Sequence, residues 1–334
     1  MDNSVKSCDR LSSLLTQPNT AHKYNFLHTN PDLQNIIYLV LSGSHGYGTN
    51  NENSDNDLRG VLIESPKYLY GLQNFEQFED IPSDTVIYGL KKFVRLCCNA
   101  NPNALELLGV EDDCIVLMSE KGKILRDYAH LFLSKRVISS FGNYAIAQLR
   151  RLQNALCHDN YNEDEQKNHL RNTFNAQLEH FRKTYTSFEH GAIQVAIDAK
   201  SNELIFDIDL KKYPVKDFVG IYSELHSTAK TYQKLNNRNK KKSEPRLFKH
   251  ALHLLRLLIT GTDILRGRGI ITKRVAEHSL LMDIRDGKYS FEQIIMLSGE
   301  YQRQFDEAAK DTALPYEPDM AKVEELLFRL YEVV

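Results

Sequence analysis

Features that would point to several common protein classes are missing from this sequence of 334 residues. No apolar stretch reaches the ~18 residues that a membrane-spanning helix needs, and the N-terminus has no basic-then-apolar leader, so we expect neither a membrane partner nor secretion. The 42 Lys and Arg residues against 44 Asp and Glu residues give a net charge of −2. This near-neutral balance carries no global nucleic-acid signal, so any basic surface must be local.

The five cysteines lack the spacing of a metal site or a disulfide framework. Their number is odd, no CxxC pair occurs, and Cys97 and Cys98 are adjacent inside an apolar helical pattern. Such thiols usually pack as small core residues. The sequence therefore predicts a reducing compartment and a cytoplasmic protein.

Repeats, low-complexity segments and a Pro/Gly-rich linker are also missing, so we expect the parts of the chain to pack together. Apolar runs rich in β-branched residues predict strands at Ile36–Leu41, Leu58–Glu64 and Thr85–Tyr88, and residues 193–208 include a short hairpin pattern. Helical periodicity dominates later, with a strong helix ending near Gly261. We expect an α+β fold with three parts: an N-terminal helical extension (1–30), an α/β catalytic unit (31–125) and a mainly helical domain that closes the cleft (126–334).

The segment LVLSGSHGYGTNNENSDNDLRGV, residues 39–61, places two acids directly before a predicted strand. In a strand, residues two apart point to the same face, so Asp55 and Asp57 are expected to project together. Two ionised carboxylates that close raise each other's pKa unless a cation lies between them. Oxygen-only ligands favour Mg²⁺ or Mn²⁺, and the pair therefore predicts a divalent metal site.

A Gly-Ser turn closes the preceding predicted strand. The backbone N–H groups and the hydroxyl of Gly43-Ser44 can hold phosphate oxygens as an anion nest. Gly46 and Gly48 would let the chain pass close to such a ligand. A metal site beside a phosphate cradle is typical of phosphoryl transfer.

An apolar strand ending in Gly-Ser and followed by an acid-x-acid pair resembles the nucleotidyltransferases of the DNA polymerase β superfamily. The longer form, GSHGYGTNNENSDNDLRGV, is similar to the RlaP-type predicted nucleotidyltransferases of bacteria and phages, which are named for their association with RNA ligase. Arg274 also fits this branch. The other segments that fit it are DTVIYGLKKF, NPNALELL, KHALHLLRLL, Gly261–Leu265 and LLMDIRDGKY, so the resemblance covers about residues 40–300.

The resemblance implies a role for each motif residue. Gly43 and Ser44 match the phosphate-holding Gly-Ser, and Asp55 and Asp57 match the two metal-binding carboxylates. They imply a polymerase-β-like catalytic unit that uses Mg²⁺ or Mn²⁺.

Members of the superfamily usually have a third metal-binding acid, on a following strand, that helps to activate the attacking hydroxyl. Asp84, at the head of the predicted strand TVIYGL, is the expected third carboxylate. Glu79 and Asp80 are competitors, because the sequence does not fix the strand register.

Candidate cations for the triphosphate are Arg59, Lys249, Arg256 and Arg274, and His253 shares a predicted helix face with Lys249 and Arg256. Arg59 can equally form an internal ion pair. The helix set can equally be a polar stripe on an amphipathic helix.

Three further features stay open. Glu106 is either a partner to a cation or a helix-surface acid, and Tyr47 either stacks on a base or packs over the turn. The basic loop 236–246 is either solvated or a patch for RNA phosphates.

The implied reaction moves a nucleoside monophosphate from a nucleoside triphosphate to an acceptor hydroxyl and releases pyrophosphate. Association with RNA ligases makes an RNA or tRNA end the expected acceptor. The alternatives are a protein hydroxyl, as in protein AMPylation by toxin-neutralising relatives, or a catalytically inactive nucleotide-binding scaffold. The intact Gly-Ser turn and acid pair argue against a scaffold, which has no need for mutually repelling acids.

Overall fold

The computed structural model describes residues 23–51, 54–160, 163–185, 187–189, 191–198, 201, 203–237 and 244–332. These form two compact units, one from residues 1–150 with 248–334 and one from residues 151–247. The C-terminal helices thus belong to the same compact unit as the residues of the expected catalytic part. Most of the N-terminal extension expected over residues 1–30 lies outside the described residues, and the expected boundaries at 30 and 125 stay predictions.

Five strands of the first unit form one mixed sheet, in the order β3-β4-β2-β1-β5. In chain order they are β1 (Ile36–Leu41), β2 (Leu58–Leu62), β3 (Gln77–Asp80), β4 (Thr85–Gly89) and β5 (Ile115–Met118). β2 is parallel to β4, and the other neighbouring strands are antiparallel. The end of β1 and the starts of β2 and β4 therefore lie at the same edge of the sheet.

The α+β class is confirmed, because this mixed sheet combines with thirteen described α-helices. They are α1 (Phe26–Thr29), α2 (Gly43–Gly46), α3 (Pro66–Leu69), α4 (Leu90–Cys98), α5 (Pro102–Leu105), α6 (Glu120–Asp127), α7 (Arg136–Asn160), α8 (Glu163–Thr184), α9 (Val215–Asn237), α10 (Glu244–Leu265), α11 (His278–Arg285), α12 (Phe291–Asp311) and α13 (Met320–Tyr331). Short 3₁₀ turns cover Pro31–Leu33, Glu106–Gly109, Asp112–Cys114 and Ala129–Phe132. Within the described residues, every helix is too short or too polar to pass through a lipid bilayer.

The central strands follow the apolar pattern, whereas the two edge strands were not expected. The strands expected at Ile36–Leu41 and Thr85–Tyr88 are confirmed, and the one expected at Leu58–Glu64 ends at Leu62. β3, QFED, is polar because an edge strand covered on one side needs few apolar residues. β5, IVLM, is too short for its period to separate a strand from a helix.

Apolar side chains cover both faces of the sheet. On one face, Tyr38 and Val40 of β1 join a core that includes buried residues of α4, α7, α10, α12 and α13. On the other face, Leu39 packs with Tyr24 and Leu27, which precede the sheet in the chain. This alternation along β1 is what a strand buried on both sides requires.

The helix expected to end near Gly261 continues to Leu265 as α10. Gly261 is buried, and a Cβ at this position would lie 2.5 Å from Cε2 of Phe305 in α12. The glycine therefore permits close helix packing and does not end the helix, although glycine after an apolar run is a common stop signal.

The second unit has a small core of its own. β6 (Ile193–Ile197) pairs antiparallel with β7 (Leu204–Ile208), as the expected hairpin requires. Its buried residues come from α8, β6 and α9, together with Phe188: Phe174, Leu178, Phe181, Ile193, Val195, Ile221 and Leu225.

Gly122 of α6 provides a test of how closely this helix packs on the sheet. A Cβ at Gly122 would overlap the backbone carbonyl oxygen of Ile37, so Gly122→Ala should lower the free energy of unfolding by about 1–3 kcal/mol. Gly299 is the matched control, because it is an exposed glycine inside α12, and a Cβ there would have no neighbouring atom within 4 Å. Gly299→Ala should instead raise the free energy of unfolding by about 0.5–1 kcal/mol. Urea denaturation measures both, and equal effects of the two substitutions would contradict the close packing.

Candidate active site

The sheet topology brings together three of the sequence motifs. Leu41 at the end of β1 pairs with Leu58 at the start of β2, and Arg59 of β2 pairs with Val86 of β4. The residues just outside these strand ends therefore meet at one sheet edge. They are the Gly-Ser turn, the acid pair and Asp84.

Gly43 and Asp57 are in direct contact. Gly43 has a φ of +58°, and a Cβ at this position would overlap Oδ2 of Asp57 and lie 3.1 Å from its Cγ. The preceding residue, Ser42, fixes the same acid from its backbone: its N–H and its Oγ–H donate to the carbonyl oxygen of Asp57 at 2.8 and 3.0 Å. Both the positive φ and the close approach require glycine here.

Three carboxylates share this edge. The pKa of Asp57 is raised, first by burial, then by the negative charge of Asp84, and less by Asp55; the Arg59 guanidinium opposes the rise. The Asp84 side chain raises it further as an acceptor for protonated Asp57, so these two carboxyl groups are close neighbours. Asp55 is exposed, at the rim of the group.

Arg59 forms the ion pair that the sequence left open. Its Nη2 donates to Oδ1 of Asp84 at 2.8 Å, and its Nη1 donates to the Asp84 backbone carbonyl oxygen. Asp84 itself has a φ of +47° in the turn before β4. Arg59 thus holds a left-handed residue whose carboxyl group touches Asp57.

The contacts favour Asp84 over its two competitors for the third carboxylate. The Glu79 side chain is exposed on β3 and accepts a hydrogen bond from Gln77. The Asp80 carboxylate accepts from the backbone N–H and the hydroxyl of Ser83, at 3.0 and 2.5 Å, and so closes the turn after β3. Neither acid is among the groups that shift the pKa of Asp57.

Tyr24 is a neighbour of the acids that the sequence pattern did not indicate. It is buried, and its pKa is raised by burial and then by the charges of Asp57 and Asp55. Its hydroxyl donates to the carbonyl oxygen of Asn56 at 3.2 Å, between the two acids. Tyr24 stands in a polar connector, where no spacing distinguishes it.

The turn that begins at Gly43 is short and is held by a backbone hydrogen bond. Ser44 is half-buried within α2, and its carbonyl oxygen accepts from the backbone N–H of Thr49 at 2.8 Å. Gly48, which also has a positive φ, lies under the side chain of Lys273, whose Cγ would be 3.2 Å from a Cβ there. The glycines at both ends of the turn thus admit close neighbours.

Arg256 and Glu106 form a buried ion pair beneath the turn. Their side chains are 2% and 1% exposed, and Nη1 of Arg256 lies 2.7 Å from Oε2 of Glu106. Tyr47 donates to the same oxygen at 2.7 Å, and the Arg256 guanidinium lies 3.6 Å from the centre of the Tyr47 ring. Nη2 of Arg256 donates to Nδ1 of His253 at 2.6 Å. Glu106 is therefore the partner of a cation, and Tyr47 packs over the turn.

The remaining candidate cations take different positions. Arg274 is buried against Asp263, and it donates to Thr260 Oγ1 at 3.0 Å. Lys249 is exposed near the start of α10. Of the five side chains considered for the triphosphate, the structure brings only Arg59 into contact with the acids, within the described residues. The contacts of Arg256 and Arg274 favour structural roles.

Two other cations and a histidine border the turn and the acidic loop. Lys273 pairs with Asp113 at 2.7 Å, and His278 Nε2 donates to the carbonyl oxygen of Gly48 at 2.9 Å. Arg285 Nη2 donates to Ser54 Oγ at 3.2 Å. Sequence reasoning missed them because each lies more than 200 positions from Gly48 and Ser54 along the chain. Arg285 falls in LLMDIRDGKY, so the sequence indicated its segment but not its position beside Ser54.

The acids fit a divalent cation by their chemistry. All the candidate donors are carboxylate oxygens, and the raised pKa of Asp57 is relieved when a cation neutralises the group. In the part of the chain that the structure describes, no three His, Cys, Asp or Glu side chains are already arranged to hold a metal ion. Asp55, Asp57 and Asp84 thus fit Mg²⁺ or Mn²⁺ by donor type and charge, and not by a preformed geometry.

Comparison with known proteins gives one match. Residues 19–170 match the model of the RlaP family, described as the RNA repair pathway DNA polymerase beta family. The other two comparisons, with curated proteins and with solved structures, give no match. The family resemblance that the motifs indicate is confirmed for residues 19–170 and stays a prediction beyond them.

The buried pair provides a test of stability. Arg256→Met leaves Glu106 buried without its cation and should lower the free energy of unfolding by about 3–5 kcal/mol. Adding Glu106→Gln should recover part of this loss, because the uncompensated charge is then removed. Lys288→Met is the matched control: its pair with Asp283 lies at the surface, so the change in stability should be small. Thermal and urea denaturation measure all three, and a loss for Arg256→Met no larger than that control would contradict the role of the pair.

The crowded carboxylates provide a second test. Because the folded-state pKa of Asp57 is raised, its proton stabilises the folded protein at acid pH, and this stability is lost as pH rises through that pKa. In EDTA at pH 7, Asp57→Asn should therefore raise Tm by a few degrees, and the gain should shrink as pH falls towards the ordinary carboxyl range. Added Mg²⁺ should raise the Tm of the wild type more than that of Asp57→Asn. Glu79→Gln should follow the wild type in both respects. A lower Tm for metal-free Asp57→Asn at pH 7 would contradict the crowding.

Proposed function

Because residues 19–170 belong to the RNA repair pathway DNA polymerase beta family, we propose that this protein is a metal-dependent nucleotidyltransferase acting on an RNA end. It transfers a nucleoside monophosphate from a nucleoside triphosphate to an acceptor hydroxyl. The observation that carries the proposal is the packing of the Asp57 carboxylate against Gly43, with Asp84 in contact and Asp55 nearby.

Asp55, Asp57 and Asp84 are the residues that would hold Mg²⁺ or Mn²⁺. When bound there, the cation neutralises phosphate charge and stabilises the entering and leaving oxygens. The Gly43-Ser44 turn binds phosphate oxygens through its backbone N–H groups and the Ser44 hydroxyl. Gly43 is needed for both, since a side chain at this position would displace the Asp57 carboxylate.

The reaction is a substitution at the α-phosphorus. The acceptor hydroxyl oxygen forms the new P–O bond, the bond to the β-phosphate breaks, and pyrophosphate leaves. Asp84 accepts the proton of the acceptor hydroxyl, and Arg59 keeps its carboxyl group beside Asp57 through the 2.8 Å ion pair.

Side chains from the C-terminal part of the first unit border the proposed triphosphate site. Lys273 and Arg285 lie against the turn or the acidic loop, where a triphosphate would meet positive charge, and His278 donates to the carbonyl oxygen of Gly48. Their placement supports a part in substrate binding for the segment after residue 248, which is the role expected for a domain that closes the cleft.

The proposed activity is tested by following label from each α-³²P nucleoside triphosphate with Mg²⁺ and either total tRNA or bulk cellular protein. We expect label on RNA. Asp57→Asn and Asp84→Asn should each reduce transfer at least about a hundredfold. Asp57→Asn removes a charge that would hold the cation at the reacting phosphate, and Asp84→Asn removes the group that accepts the proton of the acceptor hydroxyl. Asp84→Asn should still bind the nucleotide.

Glu79→Gln is the matched control, since it neutralises an acid on the neighbouring strand that does not contact the group, and it should keep full activity. Label on protein would replace the RNA acceptor by a protein hydroxyl. Nucleotide binding without label on either would indicate an inactive scaffold. Full activity of Asp84→Asn would show that another residue has the role of the third carboxylate.

A further inference from the structure

Asp55 and Asp57 lie outside the hydrogen-bonded part of the sheet. β2 begins at Leu58, so residues 54–57 precede the strand and have no regular secondary structure. The alternation of side chains along a strand therefore does not set the direction of these two carboxylates. Other contacts must fix the backbone that carries them.

Two hydroxyl groups hold this backbone. The Ser42 hydroxyl donates to the carbonyl oxygen of Asp57 at 3.0 Å. The Tyr24 hydroxyl donates to the carbonyl oxygen of Asn56, the residue between the two acids, at 3.2 Å. Because a peptide unit is planar, the second hydrogen bond fixes the orientation of the unit that joins Asn56 to Asp57. It thus limits the direction in which the Asp57 side chain leaves the backbone relative to that of Asp55.

The Tyr24 hydroxyl is itself held in position by packing. The side chain is 1% exposed, and its ring belongs to the core on one face of the sheet, together with Leu39 of β1 and Leu58 of β2. The Phe26 ring adds an edge contact, with ring centres 6.4 Å apart at an angle of 62°. A side chain in a close-packed core has few alternative positions, so its hydroxyl can act as a fixed anchor for the acidic loop.

Both acids lie close to this anchor. The negative charges of Asp57 and Asp55 raise the pKa of Tyr24 in addition to its burial. The phenol therefore keeps its proton at neutral pH and stays a donor to the Asn56 carbonyl oxygen.

The kind of residue also matters at this position. A Lys or Arg side chain here would bring a positive charge to the acids and so oppose the binding of a divalent cation. A protonated tyrosine supplies a hydrogen-bond donor without a charge. Tyr24 can therefore hold the loop between the acids and leave their negative charge to a cation.

We propose that Tyr24 is a positioning residue for the metal site of Asp55 and Asp57. Its hydroxyl holds the peptide unit between the acids so that both carboxylates can reach one divalent cation. The alternative is that the hydrogen bond only satisfies a buried hydroxyl group and contributes to stability alone. The inference rests on the proposed function, and it makes the segment before β1 a part of the active site.

The test is the affinity of the full chain for Mn²⁺ without nucleotide, measured from the electron paramagnetic resonance signal of the free ion. Tyr24→Phe keeps the buried ring but removes the hydroxyl. It should weaken Mn²⁺ binding about threefold to tenfold, which corresponds to the net contribution of one ordinary hydrogen bond. Saturating Mn²⁺ should restore transfer by this variant to nearly the wild-type rate, because the bound cation then holds the two acids together.

Tyr38→Phe is the matched control. Tyr38 of β1 is buried in the core on the opposite face of the sheet, and its hydroxyl also donates to a backbone carbonyl oxygen, that of Leu107, at 2.8 Å. This variant should lose at least as much stability in urea denaturation as Tyr24→Phe does, but it should bind Mn²⁺ as the wild type does. Equal weakening of Mn²⁺ binding in the two variants would indicate a general loosening of the sheet and would overturn the inference.

Failure of this inference can be told apart from failure of the proposed function. Unchanged Mn²⁺ affinity of Tyr24→Phe, with weaker binding by Asp57→Asn, would overturn the role of Tyr24 and leave the metal site in place. No Mn²⁺ binding by the wild type would overturn both. Weaker Mn²⁺ binding by Tyr24→Phe, with no label on RNA or protein in the transfer assay, would support the role of Tyr24 and overturn the proposed transfer.

Discussion

The carboxylate of Asp57 lies against Gly43 and in contact with Asp84, where like charges repel and where only a glycine leaves room. The strand pairing brings these residues together, because the end of β1 and the starts of β2 and β4 meet at one edge. Burial and the neighbouring acids raise the pKa of Asp57. The ionised form of this carboxylate therefore destabilises the folded protein when no cation is bound. Strained or mutually repelling groups persist where a ligand relieves them, which supports the proposed cation-dependent reaction.

Much of this edge could be predicted from the sequence, since its parts are local. The apolar runs of β1, β2 and β4 fix the strands, and the Gly-Ser turn and the acids stand directly at their ends. Edge strands β3 and β5 could not be predicted, because their residues need not follow an apolar pattern. The contacts of Tyr24 and Arg285 with the acidic loop could not be predicted either, because they depend on packing between distant segments.

The expectation for Arg256 shows why a helix pattern can mislead. A polar stripe on one side of a helix normally faces water or a cleft. From residue 254 to residue 265, however, α10 is buried on all sides, so Arg256 had to find its partners inside the protein. It found Glu106, Tyr47 and His253, and its guanidinium lies over the Tyr47 ring. A buried ion pair adds little net stability, but it discriminates strongly against wrong packing, because either charge alone is costly to bury. We therefore interpret the pair as fixing how the turn residue Tyr47 meets α10.

The net charge of −2 averages over local segments of opposite charge. Three carboxylates at one sheet edge attract cations and repel a polyphosphate or an RNA backbone, so that edge cannot by itself recruit a nucleic-acid substrate. Lys273 and Arg285 bring positive charge to the turn and the acidic loop, at the scale of a nucleotide. The excess of Lys and Arg lies elsewhere in the sequence: residues 238–246 carry five Lys or Arg against one acid. The proposed reaction therefore depends on a divalent cation that offsets the carboxylates before a triphosphate can bind beside them.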